Sequence, residues 1–273
     1  MKPRVGQIKF LNSLPLYVGM EQTGLIDSIE LVKGTPRELI GKLRQKELDI
    51  SAISSIEYCR GDEELLLIPG VSITAYRSVE SVILLSKYPF KELDQRTISL
   101  SNASSTSQTL LKILLEYYYG IKPVYFECEP DPMSMLMDSD AALLIGDLAL
   151  VASWNEDDLF KYDLSKEWHR FTGMGMSYAI WVIREEYAIS EPEEAARVSH
   201  GIKDAMRAGE ANLDRVAAIG SDEKLPQDRL KRYFRQLSFN FDDKDIKGME
   251  FFFKKAFELG FVEHMPTIRF FGD

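Results

Sequence analysis

Small hydroxyl and amide side chains gather where apolar runs stop. Asn12-Ser13 follows IKFL, Ser54-Ser55 follows DISAI, Ser101 to Ser107 follows TISL, and Gly146-Asp147 follows AALLI; Thr35 stands just before a proline. Lys, Arg and His are almost absent from these points. Hydroxyls combined with the unsatisfied N–H groups of a helix start make a binding site for an anion. Ser104-Ser105-Thr106-Ser107 is the strongest case. One Ser or Thr suffices to cap a helix, and four in succession after Asn102-Ala103 exceed that need. The run reads as a carboxylate or phosphate site. On composition alone Asn12 divides evenly between a turn residue and a ligand contact. Asp147 reads as a helix N-cap rather than a catalytic acid, and nothing local distinguishes Ser81 from an ordinary strand residue.

Other chemistries lack their signatures. No lysine follows a GxxxxG loop, no GxSxG elbow occurs, and no pair of carboxylates stands at strand ends. Cys59 and Cys128 form no CxxC or Cys/His cluster, and His169, His200 and His264 lie far apart, reading as surface or structural residues. The expectation is therefore no metal and no cofactor. On these local signals a solute-binding module and an enzyme are both open.

The elements that must position these residues alternate strand and helix. Strands are expected over 4–10, 29–32 and 49–53, with a short helix over 15–23 and Gly24 beyond its end. Thr35-Pro36-Arg37-Glu38 is a capping box with Pro at the first helical position. This rhythm implies a parallel sheet with helices on its faces. Strands over 65–68, 71–76 and 79–85 follow. A second unit then begins, with strands at 97–100, 124–126 and 141–145, a helix over 108–119 stopped by Gly120, and a short helix over 132–137. SYAIWVIR at 177–184 reads as a strand returning to the first unit. Ser190 to Glu193 reads as a second capping box, and the remainder as helical, including 245–259. The simplest architecture is α/β with two lobes: about 1–86 plus 183–273 as lobe one, about 87–182 as lobe two, and a ligand cleft between them.

The chain has 273 residues, 45% hydrophobic and 28% charged, with a formal net charge of −10. It is long enough for a sizeable core without disulfides. Its acidity argues against nucleic acid or an anionic membrane as partner. The N-terminal MKPRVGQIKF holds no apolar stretch of signal-peptide length and no run reaches membrane-spanning length, so a cytoplasmic location is expected. The sequence gives no reading of oligomeric state.

VGQIKFLNSLPLY, ELDISAISSIEY, PVYFECEPD, DAALLIGDLAL and YDLSKEWHRFTG occur in this order over about residues 4–187. Together they resemble the chorismate dehydratases of the futalosine route to menaquinone; the C-terminal helices match only in character. The resemblance implies a type II periplasmic-binding-protein fold used as an enzyme that converts chorismate to 3-[(1-carboxyvinyl)oxy]benzoate and water. It implies catalytic roles for Asn12 in FLNSLPLY and Ser81 in SVESVILLS, and a substrate carboxylate held by Thr106-Ser107. The strand-end pattern itself adds Ser54, Ser104 and Gly146 as expected substrate contacts. Because the strand ends offer few carboxylates and no His, the substrate's own enolpyruvyl carboxylate is the expected base. The rivals are the related 1,4-dihydroxy-6-naphthoate synthase, which FLNSLPLY and SVESVILLS fit less well, and a non-catalytic cytoplasmic solute-binding protein. One departure stands out. The family commonly reads Thr-Gly-Leu-Pro-Phe where this chain has Thr172-Gly173-Met174-Gly175-Met176, a segment expected to line the cleft.

Overall fold

The computed structural model describes residues 2–61 and 64–272. The first sheet begins with β1 (Arg4–Ile8), β2 (Glu30–Gly34), β3 (Ile50–Ser54) and β4 (Leu65–Ala75). A second sheet takes β5 (Val82–Ser86), β6 (Thr97–Ser101), β7 (Val124–Cys128), β8 (Ala141–Ile145) and β9 (Phe160–Asp163). The chain returns to the first sheet through β10 (Met176–Arg184) and β11 (Leu237–Ser238). The strand orders are β11-β4-β10-β3-β1-β2 and β7-β6-β8-β5-β9.

Helices α1 (Leu14–Thr23), α2 (Pro36–Arg44) and α3 (Ile56–Arg60) follow β1, β2 and β3. Helices α4 (Ser105–Lys112), α5 (Pro132–Asp138) and α6 (Gly146–Trp154) follow β6, β7 and β8, and α7 (Leu164–Thr172) follows β9. After β10 come α8 (Glu185–Ser190), α9 (Pro192–Glu210), α10 (Leu213–Gly220), α11 (Gln227–Gln236) and α12 (Asp243–Glu258). Within each sheet the βα units pair in parallel, β1 with β2 and β3, β6 with β7 and β8. Helices cover both faces, so β3, β5 and β8 are buried along their whole length.

Pairing corrects the sequence division at both crossovers. Residues 82–86 were expected in lobe one and 177–182 in lobe two. Instead β5 pairs antiparallel with β8 and β9 in the second sheet, and β10 pairs antiparallel with β3 and β4 in the first. Both strands are apolar enough for either interior, so side-chain pattern does not select the partner. The two strands expected over 65–76 are one, bent where the register against β10 shifts around Pro69-Gly70. The capping box at Thr35 forms, with Glu38 N–H donating to Thr35 Oγ1 at 3.2 Å and Thr35 N–H to Glu38 Oε2 at 2.7 Å. The one at Ser190 does not: Ser190 closes α8 and donates to the Tyr187 carbonyl at 3.4 Å. The helix expected from 108 starts three residues earlier, at Ser105, and runs on as a π-helical stretch, Ile113–Tyr119, to Gly120 in the left-handed region.

Two contacts fix the elements that carry the cleft. Helix α1, which leads out of the Asn12-Ser13 turn, crosses α9 with almost no separation. A Cβ on Gly19 would overlap the Ala205 carbonyl, and one on Gly209 the Pro15 carbonyl. At the amino end of β1, Asp49 accepts from Arg4 N–H (2.9 Å), Arg4 Nη2 (2.6 Å) and Arg184 Nη2 (3.0 Å), joining β1 to β10. Burial pushes the Asp49 pKa up, but the hydrogen bonds from Arg4 and then Arg184 outweigh it and hold the carboxyl below its ordinary value.

Both contacts are testable by urea denaturation. Gly209→Ala forces backbone apart and is expected to destabilise by about 1–3 kcal/mol. Asp49→Asn is expected to cost about 3 kcal/mol at neutral pH, by taking from Arg4 its carboxylate partner and from Arg184 one of its two. Since the folded pKa is depressed, the Asp49 contribution is complete above the unfolded value of about 4 and is lost as pH falls through the folded one. The difference between wild type and variant should therefore shrink in acid.

Candidate active site

The carboxyl ends of β1, β3, β6 and β8 face one another across the cleft, and the antiparallel strands β5 and β10 begin at the same edge. Between them lies an inner cavity lined by Asn12, Ser54, Ser81, Ser104, Ser107 and Gly146, together with Tyr178 and apolar residues of both sheets. Its volume is about 30 Å³, room for a water or two rather than an organic ligand. A larger groove of about 590 Å³ opens outward between Lys9, Thr35 and Arg37 on one side and Asn102, Glu129 and Asp147 on the other. Phe10 and Ile145 border both spaces. The Phe10 ring lies on Gly146, where φ is +64° and an added Cβ would come within 2.8 Å of the ring. Gly146 thus has two reasons to lack a side chain.

Among the described residues no Asp, Glu, His, Lys or Arg lines the inner cavity. Its polar groups are neutral hydroxyls and one amide. Asn12 accepts only a long 3.4 Å bond from Ser13 Oγ, and among the described residues its NH2 group meets no acceptor.

Hydroxyls close the cleft by bonding to one another. Ser54 Oγ, at the end of β3, lies 3.3 Å from Ser104 Oγ, the N-cap of α4. Ser107 donates to Ser104 through its hydroxyl at 3.2 Å and its N–H at 3.4 Å. Thr106 is placed differently from the expectation that it holds a substrate carboxylate: it does not line the cavity. Its Oγ1 accepts from Ile56 N–H at 3.0 Å and lies 3.3 Å from Ser55 Oγ, whose own proton goes to the Ser177 carbonyl at 2.7 Å. Thr106 therefore donates to Ser55 and ties α4 to the start of α3. The reason is helical geometry: Ser104 and Ser107, three apart, share a face, whereas Thr106 is turned about 100° from Ser107.

Asp147 is not the N-cap either. It sits in the first turn of α6, whose cap position is Ile145. Its Oδ1 accepts from Leu11 N–H at 2.9 Å, a bond between the two sheets' lobes beside Asn12. Burial pushes its pKa up, partly opposed by that bond. The segment Met174-Gly175-Met176 does not line the cavity. It packs the lobe junction, with Trp168 Nε1 donating to the Gly175 carbonyl at 3.2 Å and the Tyr76 ring against Gly175 Cα.

Ser81 owes its position to residues that local sequence reading passes over. The crossover before β5 is pinned by Asp163, the N-cap of α7. Asp163 Oδ2 accepts from Ser78 Oγ (2.7 Å), Val79 N–H (2.9 Å) and Glu80 N–H (2.8 Å), and Oδ1 from Ser165 N–H (2.9 Å) and Lys166 N–H (3.1 Å). Glu80 adopts φ +51°, a conformation that holds in a non-glycine residue only when its surroundings enforce it. Its carboxylate takes Trp154 Nε1 from α6 at 2.5 Å and Gln236 Nε2 from α11 at 2.7 Å. The Ser81 carbonyl accepts from Gly146 N–H at 2.8 Å, and Ser81 Oγ accepts from Tyr233 of α11 at 3.0 Å. No local signal marks Asp163 or Tyr233, because each meets its partner from far along the chain. Among the described residues no group of three or more His, Cys, Asp or Glu is arranged to hold a metal ion, and no helix is long and apolar enough to cross a membrane.

Two α/β lobes closing hydroxyl-bearing strand ends over a central cavity define the periplasmic-binding-protein fold. Solved structures agree. The chain superposes on the periplasmic aliphatic sulphonate binding protein of Escherichia coli with TM-score 0.68 at 15% identity, covering 99% of this chain and 97% of that one. It superposes on an Archaeoglobus fulgidus protein with TM-score 0.67 at 20% identity, covering 96% and 98%. Within this class, residues 3–258 match the menaquinone biosynthesis family, and the chain belongs to that family. It is also 27% identical to the chorismate dehydratase of Thermus thermophilus, over 92% of this chain and 94% of that protein.

Asp163→Asn tests the role given to the crossover. The variant turns an NH2 group toward N–H donors and strands several of them, at an expected cost of about 3 kcal/mol in urea denaturation. Stability equal to wild type would show that the 78–80 turn holds without it.

Proposed function

We propose that this chain is a chorismate dehydratase, a lyase that removes water from chorismate to give 3-[(1-carboxyvinyl)oxy]benzoate in menaquinone biosynthesis. The observation that carries the reading is the neutral inner cavity: hydroxyls, an amide and a helix start and, among the described residues, no titratable group except a buried tyrosine. That suits a substrate that brings both its own charge and its own base. Family membership and the likeness to a chorismate dehydratase support the same reaction.

Chorismate must lose a proton from the ether-bearing ring carbon and the neighbouring ring hydroxyl. The enolpyruvyl carboxylate takes the proton. The electron pair spreads toward the ring carboxylate, the C–O bond to the hydroxyl breaks, and the departing oxygen leaves as water with the proton that the enolpyruvyl carboxyl group has just taken up and hands on. The product ring is aromatic, which drives the reaction forward. Ser104 and Ser107, with the N-terminal N–H groups of α4, face the ring carboxylate and stabilise the developing dienolate; one such donor is worth about 3 kcal/mol. Asn12 carries a donor and an acceptor at one end, and orients the enolpyruvyl carboxylate without acting as base. Ser81 faces the departing hydroxyl. Holding base and proton in attacking geometry is worth up to about 7–11 kcal/mol.

The cavity enclosed here is smaller than chorismate, so binding requires the lobes to part. The Ser54–Ser104 hydroxyl contact must then give way to the substrate carboxylate.

Purified protein mixed with chorismate, followed by chromatography and mass, should yield the enolpyruvyl benzoate by loss of one water. Asn12→Ala should lower kcat about 100-fold. A chorismate analogue lacking the enolpyruvyl carboxylate should bind without turning over, and its normal turnover would rule out the substrate as base. Tight binding of chorismate that is returned unchanged would overturn the dehydratase reading in favour of a solute-binding role.

A further inference from the structure

Helix α11 stands behind the cavity wall, yet it grips the two residues that matter most at the crossover. Tyr233 and Gln236, three apart and so on one face, reach Ser81 and Glu80 respectively. Tyr233 is 1% exposed, as is Ser81, and it does not line the cavity. Its hydroxyl donates to Ser81 Oγ at 3.0 Å.

A serine hydroxyl has one proton and two lone pairs. With one lone pair taken by Tyr233, the Ser81 rotor is constrained, and among the described residues no protein acceptor receives the Ser81 proton. The open direction is the cavity that Ser81 lines. Ser81 is therefore presented to a ligand as a donor. Its backbone is equally fixed, with the carbonyl held by Gly146 N–H and the Glu80 N–H just before it held by Asp163. Burial pushes the Tyr233 phenol well above its ordinary pKa, so it keeps its proton in the neutral range. A proton passed on from it would leave a buried phenolate, which makes Tyr233 a poor acid.

We propose that Tyr233 is a positioning residue that fixes Ser81 as the hydrogen-bond donor to the departing hydroxyl of the substrate. This rests on the dehydratase reading above. It adds a second residue, remote in sequence and out of substrate contact, to the leaving-group side of the reaction.

The test is a double-mutant cycle on chorismate turnover with wild type, Y233F, S81A and the double variant. Phe keeps the ring that packs in the core. Y233F should lower kcat about 10-fold, the effect of one oriented hydrogen bond, while KM changes less than 3-fold and the thermal midpoint stays close to wild type. S81A should lose more, and adding Y233F to it should cost nothing further. Wild-type kcat in Y233F, or the same loss from Y233F whether or not Ser81 is present, would overturn the proposal while leaving the dehydratase reading intact. Wild type inactive on chorismate would overturn both.

Discussion

One buried carboxylate sets the geometry on which the cleft depends. Asp163 ends β9, caps α7, and gathers the Ser78 hydroxyl with the Val79 and Glu80 N–H groups into the same pair of oxygens. Those residues form the crossover by which the chain leaves the first sheet for the second. A crossover is the part of a two-lobe protein least able to use sheet hydrogen bonds, and its buried N–H groups need an acceptor from elsewhere. Asp163 supplies it. The turn it imposes drives Glu80 into the left-handed region and points Ser81 at the cavity. Strain at Glu80 is then balanced from both lobes, by Trp154 and Gln236. Lobe connection and site construction are thus one structural problem with one solution.

The cavity that results is neutral. Charges lie outside it: Lys9, Arg37 and Glu129 at the outer groove, Asp49 with Arg4 and Arg184 at the far end of β1. Neutral donors suit an anionic substrate here. A fixed cation would stabilise the carboxylate before reaction as much as during it, whereas oriented hydroxyls and N–H groups stabilise charge where it develops. In the absence of substrate Ser54, Ser104 and Ser107 bond to one another across the cleft, while among the described residues the Ser81 proton and the Asn12 NH2 group meet no acceptor. The closed arrangement seen here is held by weak, exchangeable contacts between Ser54 and Ser104 and by the tighter Thr106–Ile56 bond beside them.

Much of the site is legible in the sequence because it obeys local rules. A ligand edge on an α/β sheet favours small polar residues at strand ends, and Ser54, Ser104, Ser107 and Gly146 are expected on that ground, whereas Asn12 stays evenly divided there and is singled out by the resemblance. Ser81 does not, since it precedes an antiparallel strand and looks like any strand residue; only the resemblance of its surrounding string marked it. Thr106 lies inside the right run but faces the other way. Tyr233 falls in a C-terminal stretch that reads merely as helical.

The sequence by itself determined the alternation of strand and helix, the capped start of α2, the stop at Gly120 and the hydroxyl-rich strand ends. Periodicity, capping and turn chemistry act over a few residues, so they are written in neighbouring letters. Tertiary structure alone decided which sheet takes β5 and which takes β10, since two uniformly apolar strands fit either interior. It also decided that Thr106 turns away while Ser107 turns in, and that Asp163 reaches back 83 residues to Glu80. Each of these depends on where distant segments dock, and the pairing of side chains so far apart leaves no mark in either local pattern.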